Sequence, residues 1–368
     1  VKKLNWILGI VILSAWVLHP GKIGQNEPAQ LPILPKNIIL LIGDGMGLSQ
    51  ISAAIYNNGN AAIFEEFPVV GFQKTHASDN LVTDSAASAT AMACGKKTFN
   101  NAIGVDADGK PCTTILEKAE NKGLATGLVA TSSITHATPA AFMAHQPSRN
   151  YSDEIASDMV KTEIDFIVGG GKQYFDRREK DDRNLLLEFN KKGYDVYDYF
   201  NSDILNVVPA LNRNFFFLTA DNQPLAAMQG RTYLPRVTKM ALNYLRKKSE
   251  KGFFIMIEGS QIDWGGHANN KDYILQEIED FSETIEETLA FAKKNGETLV
   301  IVTGDHETGG FAINPGSQVK KLNVEFTTNG HTASMIPVFA FGPGAETFRG
   351  IYDNTEINKK MCEALRLD

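Results

Sequence analysis

A chain of 368 residues, 43% hydrophobic and 21% charged, has the balance of an ordinary globular protein, long enough for two domains or for one α/β domain with long insertions. Its formal net charge of −7, with no run of Lys and Arg interrupting the acidic balance, gives no electrostatic basis for nucleic-acid binding, and none is expected. Three cysteines, Cys94, Cys112 and Cys362, are too few and too scattered for a disulfide scaffold or a zinc finger, and at most one pair could bridge.

At the N-terminus, Lys2 and Lys3 precede an apolar stretch from Leu4 to Leu18, interrupted only by Asn5, Gly9 and Ser14 and broken by Pro20 and Gly21. That core is short for a membrane span. Residues 1–30 therefore read as an export signal plus a polar tether from Gly21 to Gln30, and the chain is expected to be secreted or periplasmic with no stable span in the mature protein. An uncleaved anchor is the alternative, because no clean small-x-small cleavage site stands out. From 31 to 368 no repeat or low-complexity block appears, and the segment reads as one domain.

Along that segment short β-rich runs alternate with amphipathic stretches. Strands are predicted at Asn37–Ile42, Val69–Lys74, Ala125–Ala130, Phe166–Val168, Phe215–Leu218, Phe253–Ile257, Leu299–Thr303 and Pro337–Phe341. Helices are predicted at Thr113–Lys122, Leu234–Lys251 and Tyr273–Lys294, the last with Ile274, Ile278, Phe281, Ile285 and Leu289 at helical spacing. The alternation predicts an α/β fold, a three-layer sandwich with a central, mainly parallel sheet flanked by helices.

Chemistry-bearing residues gather where these strands end, the edge at which open α/β sheets bind ligands. The first strand runs into Gly43-Asp44-Gly45-Met46-Gly47; Phe253–Ile257 ends in Glu258, followed by Asp263 and His267; Leu299–Thr303 delivers Asp305 and His306; and Gly330-His331-Thr332 precedes the last run. Imidazole with carboxylate is the usual donor set for zinc. Asp84-Ser85 opens a small-residue run, Ala86 to Ala91, that reads as a helix start. Ser85 there is either a metal-activated nucleophile or part of a plain helix cap. A single Asp after a strand is commonly a turn residue, and His331 alone would read as a hydrogen-bonded loop residue. The joint pattern weighs against those readings, because four of the seven histidines, His136, His267, His306 and His331, fall in Gly- and Asp-rich junctions. His19 lies in the signal, His76 and His145 read as structural, and His145 is also a candidate for a supporting contact behind Arg149.

Taken in order, Gly43 to Gly47, Val82 to Ala91, Ala137-Thr138-Pro139-Ala140, Glu258 to His267, Thr303 to Gly310 and Gly330 to Thr332 resemble the metal-dependent alkaline phosphatases over about Asn37 to Pro343. Thr131–His136 and Ser260–Asn270 resemble the compact, cold-active bacterial members. The resemblance implies hydrolysis of small phosphate monoesters through a phosphoserine on Ser85, with Arg149 gripping the phosphate. It implies a first zinc on Asp263, His267 and His331, a second on Asp44, Asp305, His306 and the Ser85 oxygen, and a magnesium on Asp44, Thr138 and Glu258. In the family's scheme the second zinc stabilises the serine alkoxide, the first holds the leaving oxygen and later the attacking water, and the magnesium site takes up the serine proton. A homodimer is implied too.

Two positions depart from the enterobacterial pattern. His136 stands where that enzyme has an aspartate, so the third site is expected to accept zinc as well as magnesium. Trp264 replaces a lysine that touches phosphate through water, so weaker phosphate inhibition is expected. Asp84, beside the nucleophile, joins these two as a residue near substrate. The rivals are a phosphodiesterase or nucleotide pyrophosphatase of the same superfamily, which generally has a threonine nucleophile and no equivalent arginine; a sulfatase, whose Cys/Ser-x-Pro-x-Arg context is missing around Ser85; and a noncatalytic periplasmic metal-binding protein.

Overall fold

The computed structural model describes residues 34–59 and 61–367, which fall within one compact unit. The export segment inferred for residues 1–30 lies outside the described residues. Fourteen strands are present among them: β1 (Asn37–Gly43), β2 (Val69–Lys74), β3 (Ala125–Ser133), β4 (Phe166–Gly170), β5 (Tyr194–Asp198), β6 (Asn214–Leu218) and β7 (Phe253–Gly259). The others are β8 (Thr298–Gly304), β9 (Glu307–Thr308), β10 (Phe311–Ile313), β11 (Val324–Phe326), β12 (His331–Thr332), β13 (Ile336–Phe341) and β14 (Gly350–Asp353). Ten form one sheet in the order β14-β2-β13-β8-β1-β7-β3-β4-β6-β5. β13 alone runs against its neighbours, antiparallel to both β2 and β8.

The alternation along β1 shows why two helical layers are needed. Ile38, Leu40 and Ile42 pack on one face with Ala86, Ala89 and Met92 of the helix Ser85–Cys94. Ile39 and Leu41 pack on the other with Ile274, Ile278, Phe281 and Ile285 of the helix Lys271–Asn295. Successive side chains of a strand point to opposite faces, so a strand apolar at every position is covered twice. Every residue of β1, β7 and β8 is buried. The predicted sandwich is the observed one.

Topology then gathers the site. β1, β7 and β8 are parallel neighbours in aligned register, with Gly43 opposite both Gly259 and Gly304. Their carboxyl ends therefore release Asp44, Glu258 and Asp305 at one edge. The reversal of β13 brings the residues before it, including His331, to that same edge.

Candidate active site

The chain leaves β1 through a turn in which Gly45 adopts φ +71 and its N–H donates to Asp305 Oδ1 at 3.0 Å. A Cβ on Gly45 would lie 2.7 Å from the Asp263 Cα, so the Asp44 and Asp263 loops touch only because this residue is glycine. Asp44, Glu258, Asp305 and His306 are wholly buried, and Asp263 is nearly so.

Two ligand sets result. In the first, His267 Nε2 lies 3.4 Å from Asp263 Oδ2, His331 Nε2 lies 3.5 Å from Asp263 Oδ1, and the two Nε2 atoms are 3.2 Å apart. In the second, His306 Nε2 lies 3.3 Å from Asp305 Oδ2, 3.5 Å from Asp44 Oδ1 and 3.3 Å from Ser85 Oγ, while Ser85 Oγ is 3.5 Å from Asp44 Oδ1. Four donors about 2.0–2.1 Å from a tetrahedral zinc stand about 3.3–3.4 Å from one another, so both sets have zinc-sized spacing.

The tautomers point the same way. His267 Nδ1 faces the Asn329 carbonyl at 2.6 Å and His331 Nδ1 faces that of Thr83 at 2.8 Å, so each Nδ1 donates outward and each Nε2 is the ring atom turned toward Asp263. Thr308 Oγ1 donates to Asp263 Oδ1 at 2.5 Å and stands 3.2 Å from His306 Nδ1, which leaves His306 Nε2 as a lone pair. Imidazole nitrogens converging with carboxylates fit a divalent cation. Buried without one, Asp305 and Glu258 are each pushed up to about 7 by desolvation first, Asp44 rises well above the carboxylate range, and His306 falls well below its usual value. Around Asp263, the carboxylate raises His267 to about 9.

A third group joins Asp44, Glu258 and His136. Asp44 Oδ2, Glu258 Oε1, Asp305 Oδ2 and His136 Nδ1 are buried with no hydrogen bond, and such orphaned atoms fit a divalent ion. Thr138 stands within reach of Glu258, whose Oε2 accepts from Ser260 Oγ at 2.6 Å and Ser132 Oγ at 3.3 Å. The mainly oxygen set suits a harder cation than the other two. Burial and the nearby Arg149 push His136 down to about 3, so its imidazole is neutral and can ligate.

Ser85 is the first residue of its helix and is 1% exposed. Asp84 is the cap, Oδ1 accepting the Ala87 N–H at 2.9 Å, while its Oδ2 accepts from Arg149 Nη1 at 3.1 Å and the Asn101 N–H at 3.0 Å. Arg149 Nη2 is 3.2 Å from His136 Nε2. The guanidinium is thus fixed beside the helix N-terminus, where a phosphate would meet both backbone and side-chain donors. Trp264 packs edge-on against His136 with ring centroids 6.1 Å apart.

All the sequence-derived site residues converge here. His145 does not: its ring bonds Glu117 at 3.0 Å and the Gly104 carbonyl at 2.6 Å. Sequence reasoning passed over Thr308, Ser260 and Gln261. The last donates to the carbonyls of Thr131, Pro224 and Leu225 and anchors the start of the short helix Ile262–His267. Their nearness in sequence to Asp305, Glu258 and Asp263 was the available signal.

A buried serine at a helix N-terminus, an arginine braced beside it and groups that could hold divalent metals on the carboxyl edge of a doubly covered sheet together fit the class of metal-dependent phosphoryl-transfer hydrolases. The comparisons narrow this class. The Alkaline phosphatase family model matches residues 35–322 and 314–367, and the chain belongs to that family. It is 38% identical to Alkaline phosphatase 3 of Bacillus subtilis, over 90% of this chain and 89% of the relative, and 34% identical to the alkaline phosphatase of Escherichia coli, over 90% and 86%. The structure of alkaline phosphatase from the Antarctic bacterium TAB5 superposes with a TM-score of 0.86 at 45% identity, covering 91% of this chain and 99% of that one. A histidine-to-glutamate mutant of that enzyme has Mg bound in the M3 site. The chain is an alkaline phosphatase hydrolase acting on phosphate monoesters. Among the described residues no helix is long and apolar enough to cross a membrane.

Proposed function

We propose that Ser85 attacks the substrate phosphorus and carries the phosphoryl group as phosphoserine. The observation that carries this reading is the Ser85 hydroxyl, buried within 3.5 Å of both Asp44 Oδ1 and the inward lone pair of His306. Asp263, His267 and His331 would hold one zinc, and Asp44, Asp305 and His306 a second. Asp44, Thr138 and Glu258 would hold a magnesium, with the neutral ring of His136 beside it able to favour zinc there. Such ions, when bound, stabilise an alkoxide or hydroxide near neutral pH and offset negative charge that develops on leaving.

The chain's own part is orientation and charge. Arg149, locked by Asp84, meets two nonbridging oxygens in a planar fork, and the N-terminus of the helix Ser85–Cys94 faces the same anion. The new Ser85 Oγ–P bond forms as the bond from phosphorus to the alcohol oxygen breaks. Water then takes the phosphoryl group, restoring the serine hydroxyl and releasing inorganic phosphate. The first ligand set lies on the open side, since the His267 side chain is 44% exposed while His306 is wholly buried. An alcohol leaving there and a water entering there use the same door.

Residues 1–30 as an export signal, 31–368 as one catalytic domain, a secreted or periplasmic location and a homodimer complete the reading. It is supported by the basic-then-apolar N-terminal pattern and by the family resemblance. The test compares p-nitrophenyl phosphate with bis-p-nitrophenyl phosphate at alkaline pH, with and without chelator. Chelator-sensitive hydrolysis confined to the monoester is expected; preference for the diester, or activity indifferent to chelator, would reject the assignment of roles.

A further inference from the structure

Glu307 follows His306 in the chain but points away from the ligands, and it is 5% exposed. Its Oε1 accepts Gln50 Nε2 at 2.7 Å and the Phe311 N–H at 3.0 Å. Its Oε2 accepts the Gly310 N–H at 3.2 Å and the Thr332 hydroxyl. Four donors from three separate segments thus meet one carboxylate, a stronger tie than neutral hydrogen bonds of the same number. The fit is close: a Cβ on Gly47, three residues after Asp44, would lie 2.3 Å from Glu307 Cγ.

What these segments carry gives the tie its meaning. Gln50 lies in the first turn of the helix Leu48–Asn57 that follows the Asp44 loop, and its Nε2 also donates to the Thr308 carbonyl at 2.8 Å. Thr332 pairs with Glu307 across the two-stranded β12–β9 ladder, with His331 opposite Thr308. A two-residue ladder is weak by itself. The same short segment supplies the Asn329 carbonyl that fixes the His267 ring, so its position sets two of the three ligands of the first group.

We infer that Glu307 is a positioning residue that clips the 329–332 segment to the sheet edge and so sets the affinity of the Asp263–His267–His331 group for zinc. This rests on the reading that this group binds zinc. Outer contacts that orient ligands commonly change metal affinity by about 10–100-fold when removed.

The experiment titrates the metal-free protein with Zn2+ in a chelator buffer containing excess Mg2+, and reads zinc per chain by mass spectrometry. Wild type should fill in two resolvable steps, with His331→Asn marking the step that belongs to the first group. Glu307→Ala should weaken that step by about 10–100-fold and the other less, with Glu307→Gln between Ala and wild type, since it keeps one acceptor. Thr332→Val, at a half-buried position, removes the hydroxyl contact to Glu307 on the histidine side together with one to the exposed Ser334 Oγ at 3.2 Å, and should weaken the first step by about tenfold while the second stays put. Should Glu307→Ala fail to fold by circular dichroism, Thr332→Val decides. A folded Thr332→Val with a wild-type first step, or with both steps weakened alike, overturns the inference. Wild type that binds no zinc at the marked step would instead overturn the metal reading on which it rests.

Discussion

The chain treats two clusters of buried charge in opposite ways. Within the helix Lys271–Asn295, Glu277 and Asp280 are both buried, and both accept from Arg231 Nη2, at 2.7 and 2.6 Å. Burial raises both carboxyls, and Arg231 works against that rise. At the sheet edge, Asp44, Glu258, Asp263 and Asp305 are equally buried, yet the nearest guanidinium, Arg149, is committed to Asp84. The first cluster carries its own cation. The second has no guanidinium of its own, as the proposed binding of cations from outside requires.

Ser85→Ala tests whether the sheet-edge cluster, rather than the hydroxyl, holds the ions. The substitution removes no charge, so zinc content and folding should persist while kcat falls by at least about 10⁴-fold and phosphoenzyme formation disappears. Labelled phosphoenzyme in the variant would mean that another residue is the nucleophile. Loss of zinc alongside activity would show that the serine oxygen is needed to assemble the ligands.

Arg231→Met breaks the self-neutralised cluster. It leaves two buried carboxyls without a cation and should cost about 3–5 kcal/mol in denaturant melts, with the Zn2+ titration unchanged. Combining it with Glu277→Gln and Asp280→Asn should restore most of the loss. Were Arg231→Met neutral in stability, the two clusters would not differ in the way described.

Trp264→Lys adds a cation at the rim of the cluster that lacks one. Inhibition by inorganic phosphate should tighten by about tenfold, near 1.4 kcal/mol, if the tryptophan is what keeps product binding weak. An unchanged or weaker inhibition constant would place product release under other control.

The contrast also explains what the sequence could show. β1, β7 and β8, apolar at every position, and the long helix with its 3.6-residue period were readable because burial imposes a pattern. β5 and β14 were missed. They are the sheet's edges, half-exposed, and residues such as Asp195 and Asp353 break any apolar run. β3 extends to Ser133 rather than ending at Ala130, because its polar end points into the site. The candidate metal ligands were legible for a related reason: Asp44 and Asp305 directly follow β1 and β8, and Glu258 is the last residue but one of β7. Glu307 and Gln50 were not, since their meaning lies in contacts between segments 257 residues apart. His145 reads as structural from the sequence, with a contact behind Arg149 as the alternative, and its bonds to Glu117 and the Gly104 carbonyl fit the structural reading.

His145 supplies the mildest test, because it forms a third kind of cluster, a lone ion pair in a half-buried setting. Its ring meets Glu117 and the Gly104 carbonyl, with the Cys112 thiol near, and Glu117 above all raises it to about 9 against the ordinary 6.5. A histidine raised on folding contributes stability that is fully present below pH 6.5 and is lost as pH climbs through 9. His145→Gln keeps a neutral hydrogen-bonding side chain and removes the charge. Wild type should therefore exceed the variant by about 1 kcal/mol at pH 6, by less at pH 8 and by nothing measurable at pH 10. The side chain is 22% exposed, so solvent screens part of the attraction and keeps the effect this small. A difference that stayed constant with pH would make His145 a packing residue. A pair that loses its charge as alkalinity rises can brace the fold at neutral pH but not where this enzyme class works, whereas the ions proposed for the sheet edge would bind more firmly as their ligands deprotonate.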